Sequence, residues 1–324
     1  MGKKVVLSSV IVEDPAYERG FIEGAGLQLV FVPNDDQETF LKEIVDADAI
    51  ITADKKITKE MIDSLNNCKV IVRQGIGYDT IDIQRAKEKD IAVCNIPDYC
   101  IEEVSEFTVA LILNLLRHIN TYDKHTREGI WDIQSIYKIN GFPEMRRSST
   151  QTLGITGFGK IARLVAKKAK PFGFRIITSD PYIDPKIPEK MGVELVDFDT
   201  LIRESDIISV NTPLTPETKH MFNMDVFKKM KNTAYIVNTG RGPLIKEDDL
   251  YEALKNKIIA GAALDVTETE PLPPDNKLFT LDNLIITPHA AFFTKDSYLE
   301  MRRRACEEVI RVLSGMEPEN RVNK

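Results

Sequence analysis

The sequence is short of the features that would place it in several large classes of protein. Its four cysteines, Cys68, Cys94, Cys100 and Cys306, form no C-x-x-C pair, and its four histidines, His118, His125, His220 and His289, show no H-E-x-x-H spacing. Neither structural zinc nor a disulfide framework is therefore expected, and the cysteines read as reduced and mostly buried. Positive charge is also scarce: 43 Lys+Arg against 50 Asp+Glu leave a formal net charge of -7. Nucleic acid and anionic membranes need clustered positive charge, so neither is expected as a partner. A small anionic ligand stays open, because one placed arginine outweighs a diffuse negative background. No apolar run is long enough to cross a bilayer; the most apolar later stretch, residues 107–116, is too short. Residues 5–12 carry Ser8 and Ser9 and run into Glu13-Asp14 without a small-residue cleavage site. That start reads as a first strand rather than a signal peptide, and a cytoplasmic protein is the expectation.

What is present is the composition of a packed globular chain: 324 residues, 43% hydrophobic and 29% charged, which fits two lobes better than one. Strand-like runs at 4–11, 27–32, 49–52, 70–72 and 91–94 alternate with amphipathic segments. A long helix follows at about 102–118, then an irregular polar stretch from 120 to 149 that holds the single tryptophan, Trp131. A second series places strands at 153–156, 175–178, 207–210, 234–237, 262–264 and 284–286, before a closing helix at 295–313. The order reads as α/β architecture: two open, doubly wound parallel-sheet lobes. His118, His125 and His220 have no acid or ligand spacing around them and read as surface groups. Arg302-Arg303-Arg304, with Glu300, Glu307 and Glu308 nearby, reads as a solvated, ion-paired helix face.

Residues 154–162 read G-I-T-G-F-G-K-I-A. Gly157 permits the tight turn, Gly159 lets backbone approach a pyrophosphate, and Ala162 lets the following helix pack on the strand. The phosphates then sit on the N–H groups at the helix start, beside Lys160 and Ile161. Three contextual features strengthen a pattern that is weak alone: an apolar strand before it, an amphipathic helix after it, and an acid, Asp180, ending the next strand. An acid there accepts hydrogen bonds from ribose hydroxyls and repels a 2′-phosphate, so NAD is expected rather than NADP.

Three further signals follow later strands. Asn238-Thr239-Gly240-Arg241-Gly242 delivers an arginine in a small-residue loop, residues 265–272 deliver Glu270 before a proline, and residues 287–291 deliver His289. Each alone has a bland reading as a surface or loop residue. Together they put a cation, a carboxylate and an imidazole at strand C-terminal ends, where open α/β sheets build sites. Oxidising a hydroxy acid at C2 needs such groups. A base takes the hydroxyl proton, a carboxylate orients the imidazole, and a guanidinium grips the substrate carboxylate.

With Arg73-Gln74-Gly75-Ile76-Gly77-Tyr78-Asp79, Asn95-Ile96-Pro97 and residues 211–218 also in order, the chain resembles the D-isomer-specific 2-hydroxyacid dehydrogenases along almost its whole length. The resemblance implies Arg241 as the substrate arginine, Glu270 as histidine partner and His289 as acid/base. It implies a cradle for the substrate carboxylate at Gly75, Ile76 and Gly77. Cofactor contacts are implied at Thr212, Pro213 and Thr218, at Thr239 and Gly240, and at Asp265, which matches the family's nicotinamide-amide contact. Two departures stand near the cofactor path: Gly240, where alanine or serine is usual, and Asn211, where histidine is common.

The fold it implies is a Rossmann NAD-binding domain, residues 101–294, inserted in a flavodoxin-like substrate-binding domain, residues 1–100 with 295–324. A homodimer through the cofactor lobes is also implied, using the helix near 102–118 and the arm near 120–147; Trp131 fits such an arm or plain intramolecular packing. Residues 97–106 look most like the bacterial branch related to C-terminal-binding proteins, so a nucleotide-sensing interaction protein stands beside an enzyme. The intact Arg241, Glu270 and His289 set favours the enzyme. Formate or phosphite oxidation is a third possibility. A small unphosphorylated keto acid such as glyoxylate, hydroxypyruvate or pyruvate is expected over phosphohydroxypyruvate, and D-3-phosphoglycerate dehydrogenase is the alternative. Thr52 stands where the phosphoglycerate branch commonly has arginine, although Lys55 or Lys56 offers a point charge, and the chain ends soon after the closing helix without the regulatory domain many of that branch carry.

Overall fold

Strand formation follows apolar content closely. In the computed structural model, which describes residues 2–131 and 145–324, the strands are β1 (Lys4–Ser8), β2 (Gln28–Phe31), β3 (Ala49–Thr52), β4 (Val70–Arg73), β5 (Ala92–Cys94), β6 (Thr152–Thr156), β7 (Arg175–Ser179), β8 (Glu194–Leu195), β9 (Ile207–Val210), β10 (Tyr235–Asn238), β11 (Gly261–Leu264) and β12 (Leu284–Ile286). Every residue of β3, β6, β9 and β11 is buried. Parallel strands covered on both faces by helices read in just this way, as continuous apolar runs rather than alternations.

The chain divides into two compact units, residues 1–100 with 293–324, and residues 101–292. The first holds a parallel five-stranded sheet in the order β2-β1-β3-β4-β5, the flavodoxin-like order. Its core gathers Val6, Phe40, Ile44, Ile50, Ile62 and Ile71. The chain's two ends meet in this unit. Glu18, on the helix Ala16–Gly24, is fully buried and takes Arg302 of the helix Lys295–Leu313 through Nε at 2.5 Å and Nη2 at 2.6 Å. Arg302 is thus buried, against the expectation of a solvated face, because Glu18 neutralises it. Arg303 and Arg304 keep the expected surface pairs with Glu307 and Glu300.

The second unit holds a seven-stranded parallel sheet, β12-β11-β10-β9-β6-β7-β8. Read from β8, that is the dinucleotide-binding order, with its reversal between β6 and β9. Val109, Ile112 and Leu116 of the helix Ile101–Arg117 share a core with Ala162, Val165 and Ala169 of the helix Lys160–Ala169.

Elsewhere the structure departs from expectation for local reasons. β1 stops at Ser8, where Val10 turns out to solvent and its N–H is taken by Asp54 at 2.9 Å. β8 has two residues, too few to show any period. Residues Ile119–Arg127 form a helix where irregular structure was expected; none of its residues is buried, and side-chain pairs such as Asp123–Arg127 support it instead of a core. Residues 132–144, the centre of the expected arm, lie outside the described residues. All four cysteines are free and buried, with burial pushing the thiols of Cys68 and Cys306 up to about 12. Among the described residues no helix is long and apolar enough to cross a membrane.

Candidate active site

The glycine-rich turn follows β6, at the point where the strand order reverses. Gly157 sits at φ +71°, and a Cβ there would meet the Asn211 carbonyl at 3.0 Å and Thr212 Cα at 3.1 Å. The loop of residues 211–218 therefore lies against this turn, and Thr218 Oγ1 ties it internally to Pro213 O at 2.7 Å. At Gly159 a Cβ would meet nothing within 4 Å, and Lys160 opens a ten-residue helix. Open space over first-turn N–H groups is the cradle a pyrophosphate needs, so the residues present fit NAD. Ala162 is buried, as helix-on-strand packing requires. Asp180 receives the N–H of Phe158 at 2.8 Å and of Tyr182 at 2.9 Å, one on each carboxylate oxygen. It thus braces the turn, and each oxygen keeps lone-pair capacity for a ribose hydroxyl.

The arginine, carboxylate and imidazole lie on neighbouring loops of the same unit. His289 Nδ1 and Glu270 Oε2 are 2.7 Å apart. Glu270 Oε1 accepts the Thr267 N–H at 3.0 Å. Burial pushes the Glu270 carboxyl up, but His289, the Thr267 N–H and the Arg241 charge together hold it below its ordinary range. Asp265, 1% exposed, acts as the anchor of the histidine loop: its carboxylate accepts Thr287 Oγ1 at 2.6 Å and the N–H groups of Ala290 and Ala291 at 2.9 Å, while its carbonyl accepts the His289 N–H at 2.8 Å. Those bonds hold His289 at φ +53°, a left-handed position uncommon for histidine. The expected nicotinamide contact and this anchoring fall on the same residue.

Sequence reasoning missed the residues that place Arg241. Asn238, fully buried, donates from Nδ2 to Arg241 O at 2.8 Å and accepts the Gly240 N–H at 3.0 Å. Gly242 is needed because a Cβ there would lie 1.9 Å from Thr267 O. The arginine loop and the Glu270 loop are thereby packed backbone to backbone. Thr239 Oγ1 lies 2.8 Å from Thr108 Oγ1, linking the same loop to the helix Ile101–Arg117. His220, expected as a surface group, lies 2.6 Å from Glu268 through Nε2. Glu247 accepts the Glu268 N–H; burial, with Glu268, Asp248 and Glu270 nearby, raises its pKa despite that bond. Only the run of acids at 247–249 marked Glu247 in the sequence, and it carried no spacing signal.

Gly75, Ile76 and Gly77 follow β4 in the first unit. Gly75 has φ +148°, and a Cβ there would fall 1.2 Å from Arg73 Nη1. Asn95 Nδ2 donates to Ile76 O at 2.6 Å, and Ile96 N–H to Gly75 O at 2.9 Å. The Asn95-Ile96-Pro97 segment thus braces the glycine loop. Lys55 is committed elsewhere, its Nζ donating to Asn34 O at 2.6 Å and Gln37 Oε1 at 2.9 Å. Asp98 is paired with Arg304 at 2.7 Å.

The chain is similar in sequence and fold to known proteins. Residues 109–291 match the family profile described as D-isomer specific 2-hydroxyacid dehydrogenase, NAD binding domain. A D-3-phosphoglycerate dehydrogenase of Methanocaldococcus jannaschii is 39% identical over 97% of this chain, which spans 59% of that protein's length. A glyoxylate reductase of Thermofilum pendens is 40% identical over 89% of this chain and 85% of its own. The crystal structure of a D-lactate dehydrogenase from Aquifex aeolicus, complexed with NAD and lactic acid, superposes with a TM-score of 0.85 at 29% identity, covering 96% of each chain. With its dinucleotide turn and its imidazole–carboxylate pair on one sheet edge, this chain belongs to the D-isomer-specific 2-hydroxyacid dehydrogenases, a family of NAD-dependent oxidoreductases.

Proposed function

We propose that this chain interconverts a small D-2-hydroxy acid and its 2-keto acid, with the unit of residues 101–292 binding NAD and the unit of residues 1–100 with 293–324 binding the acid. The observation that carries the reading is the His289–Glu270 pair at 2.7 Å, anchored beside the Arg241 loop. NAD, when bound, accepts or supplies the hydride. Gly157, Gly159, Lys160, Ile161, Asp180, Thr212, Pro213, Thr218, Thr239, Gly240 and Asp265 are the residues assigned to hold it. In the reductive direction His289 gives a proton from Nε2 to the oxygen at C2, while Glu270 keeps Nδ1 engaged and favours the imidazolium. Arg241 is assigned to grip the substrate carboxylate with its planar fork, and Gly75, Ile76 and Gly77 are the substrate-binding residues assigned in the first unit.

An unphosphorylated acid of the glyoxylate or hydroxypyruvate kind is favoured over phosphohydroxypyruvate. Thr52 is buried and neutral, and the Lys55 ammonium is already held by Asn34 and Gln37. The relatedness to a glyoxylate reductase and to a phosphoglycerate dehydrogenase is nearly equal. A homodimer through the second unit is part of the proposal. The apolar side chains of Ile119, Ile130 and Trp131, the last 85% exposed, support it. The test is steady-state reduction of glyoxylate, hydroxypyruvate, pyruvate and phosphohydroxypyruvate by NADH. Turnover with the unphosphorylated acids is expected; a preference above about tenfold for the phosphorylated acid, or some 1.4 kcal/mol, would reverse the substrate assignment.

A further inference from the structure

The loop that carries Glu270 is pinned by groups with no part in the chemistry proposed above. Glu268 stands two residues before Glu270 and is held at both ends. Its backbone N–H donates to Glu247 Oε1, from the first turn of the helix Glu247–Lys255. Its carboxylate Oε1 lies 2.6 Å from His220 Nε2. Between Thr267 and Glu270 the turn closes on itself, with Thr267 Oγ1 donating to Thr269 O at 2.8 Å and the Thr267 N–H donating to Glu270 Oε1 at 3.0 Å. On the other side, Gly242 leaves no room between its own Cα and the Thr267–Glu268 peptide, so the turn has no freedom to retreat that way.

The two holds come from different elements. Glu247 opens a helix, and His220 sits at φ +56° in the segment after β9 with its N–H bonded to Pro243 O at 2.8 Å. That helix is itself tied to the His220 segment, since Asp249 Oδ2 accepts the Met224 N–H at 2.9 Å. A turn clamped from a helix start and from a neighbouring loop can present Glu270 in one orientation. An orienting carboxylate displaced by about 1 Å loses much of its effect on a reacting imidazole.

We propose that Glu247, with His220, is a positioning residue for the Glu270–His289 pair, acting through the backbone and carboxylate of Glu268. The inference rests on the reading of that pair as the proton-transfer dyad. Glutamine at position 247 keeps an acceptor oxygen for the Glu268 N–H, whereas alanine removes it, so the two variants separate positioning from general support of the fold.

Two readouts are measured on the whole protein: steady-state keto-acid reduction by NADH, and the low-field proton resonance of His289 Nδ1–H, which reports its hydrogen bond to Glu270 without any turnover. Glu247→Ala is expected to lower kcat by about tenfold or more, leave NADH affinity and KM near the parent's, and lose the low-field resonance. Glu247→Gln is expected to keep kcat within about twofold and keep the resonance. An alanine variant that retains both, or a glutamine variant as damaged as alanine, overturns the proposal. If Glu247→Ala does not fold, His220→Ala carries the test at a partly exposed site: loss of the resonance supports the clamp, and an unchanged resonance overturns it. A parent protein that reduces no keto acid would sink the functional reading instead, while the resonance still decides the clamp.

Discussion

At the scale of single residues, the account depends on the environment each side chain is given. His289 is partly exposed and holds its tautomer through Glu270, so His289→Ala should remove roughly 10²–10⁴-fold of turnover while NADH binding survives. Fluorescence titration with NADH beside turnover measurements checks both halves, and loss of NADH binding would mean that His289 is structural. Asp180 sets cofactor choice on this reading. No lysine or arginine stands at Ser179, Pro181 or Tyr182 to meet a 2′-phosphate. NADH should be preferred over NADPH, and Asp180→Ser should narrow the gap. Its cost in stability should also be visible, because Asp180 takes the N–H groups of Phe158 and Tyr182. Equal kcat/KM for both cofactors in the parent would remove the acid from this role.

At the scale of elements, the loops after β10 and β11 are one construction. Gly242→Ala would drive a Cβ to 1.9 Å from Thr267 O, so the Arg241 and Glu270 loops must part. Activity should fall by about 10²-fold, the cost of a misplacement near 1 Å, with a lower melting temperature. An alanine variant with parental kcat would show that the loops are not coupled. The reasons for legibility differ along this edge. Buried parallel strands such as β3 and β9 announce themselves as apolar runs, and Gly157, Arg241, Glu270 and His289 stand in short segments whose order is itself the signal. Asn238 bonds within its own segment, to Gly240 and Arg241, whereas Glu247 and His220 carry no comparable mark. Both act on Glu268, more than twenty residues away in sequence, which no local pattern encodes. Arg302 was misread for the same reason: its partner Glu18 comes from the opposite end of the chain. The helix Ile119–Arg127 was missed because it lacks the apolar stripe by which helices are recognised.

At the scale of the whole molecule, the first unit is closed by its termini, and the Glu18–Arg302 pair is its most deeply buried ionic contact among the described pairs, at 0% and 8% side-chain exposure. Glu18→Ala would leave a guanidinium buried without its carboxylate, a loss of about 3–5 kcal/mol. Urea unfolding should show that loss, and a change below about 1 kcal/mol would mean the pair is solvated in practice. The central claim, that an imidazole oriented by its carboxylate moves the proton, joins fold to function and has a direct test. Glu270, despite its burial, is held below its ordinary range and so is anionic through neutral pH. In keto-acid reduction the histidine must deliver a proton beside that anion, so the rate falls on the alkaline side. The measurement is the pH dependence of kcat/KM for keto-acid reduction in the parent and in Glu270→Gln. The account predicts that the alkaline limb moves to lower pH in the glutamine variant; a limb that stays in place would contradict it.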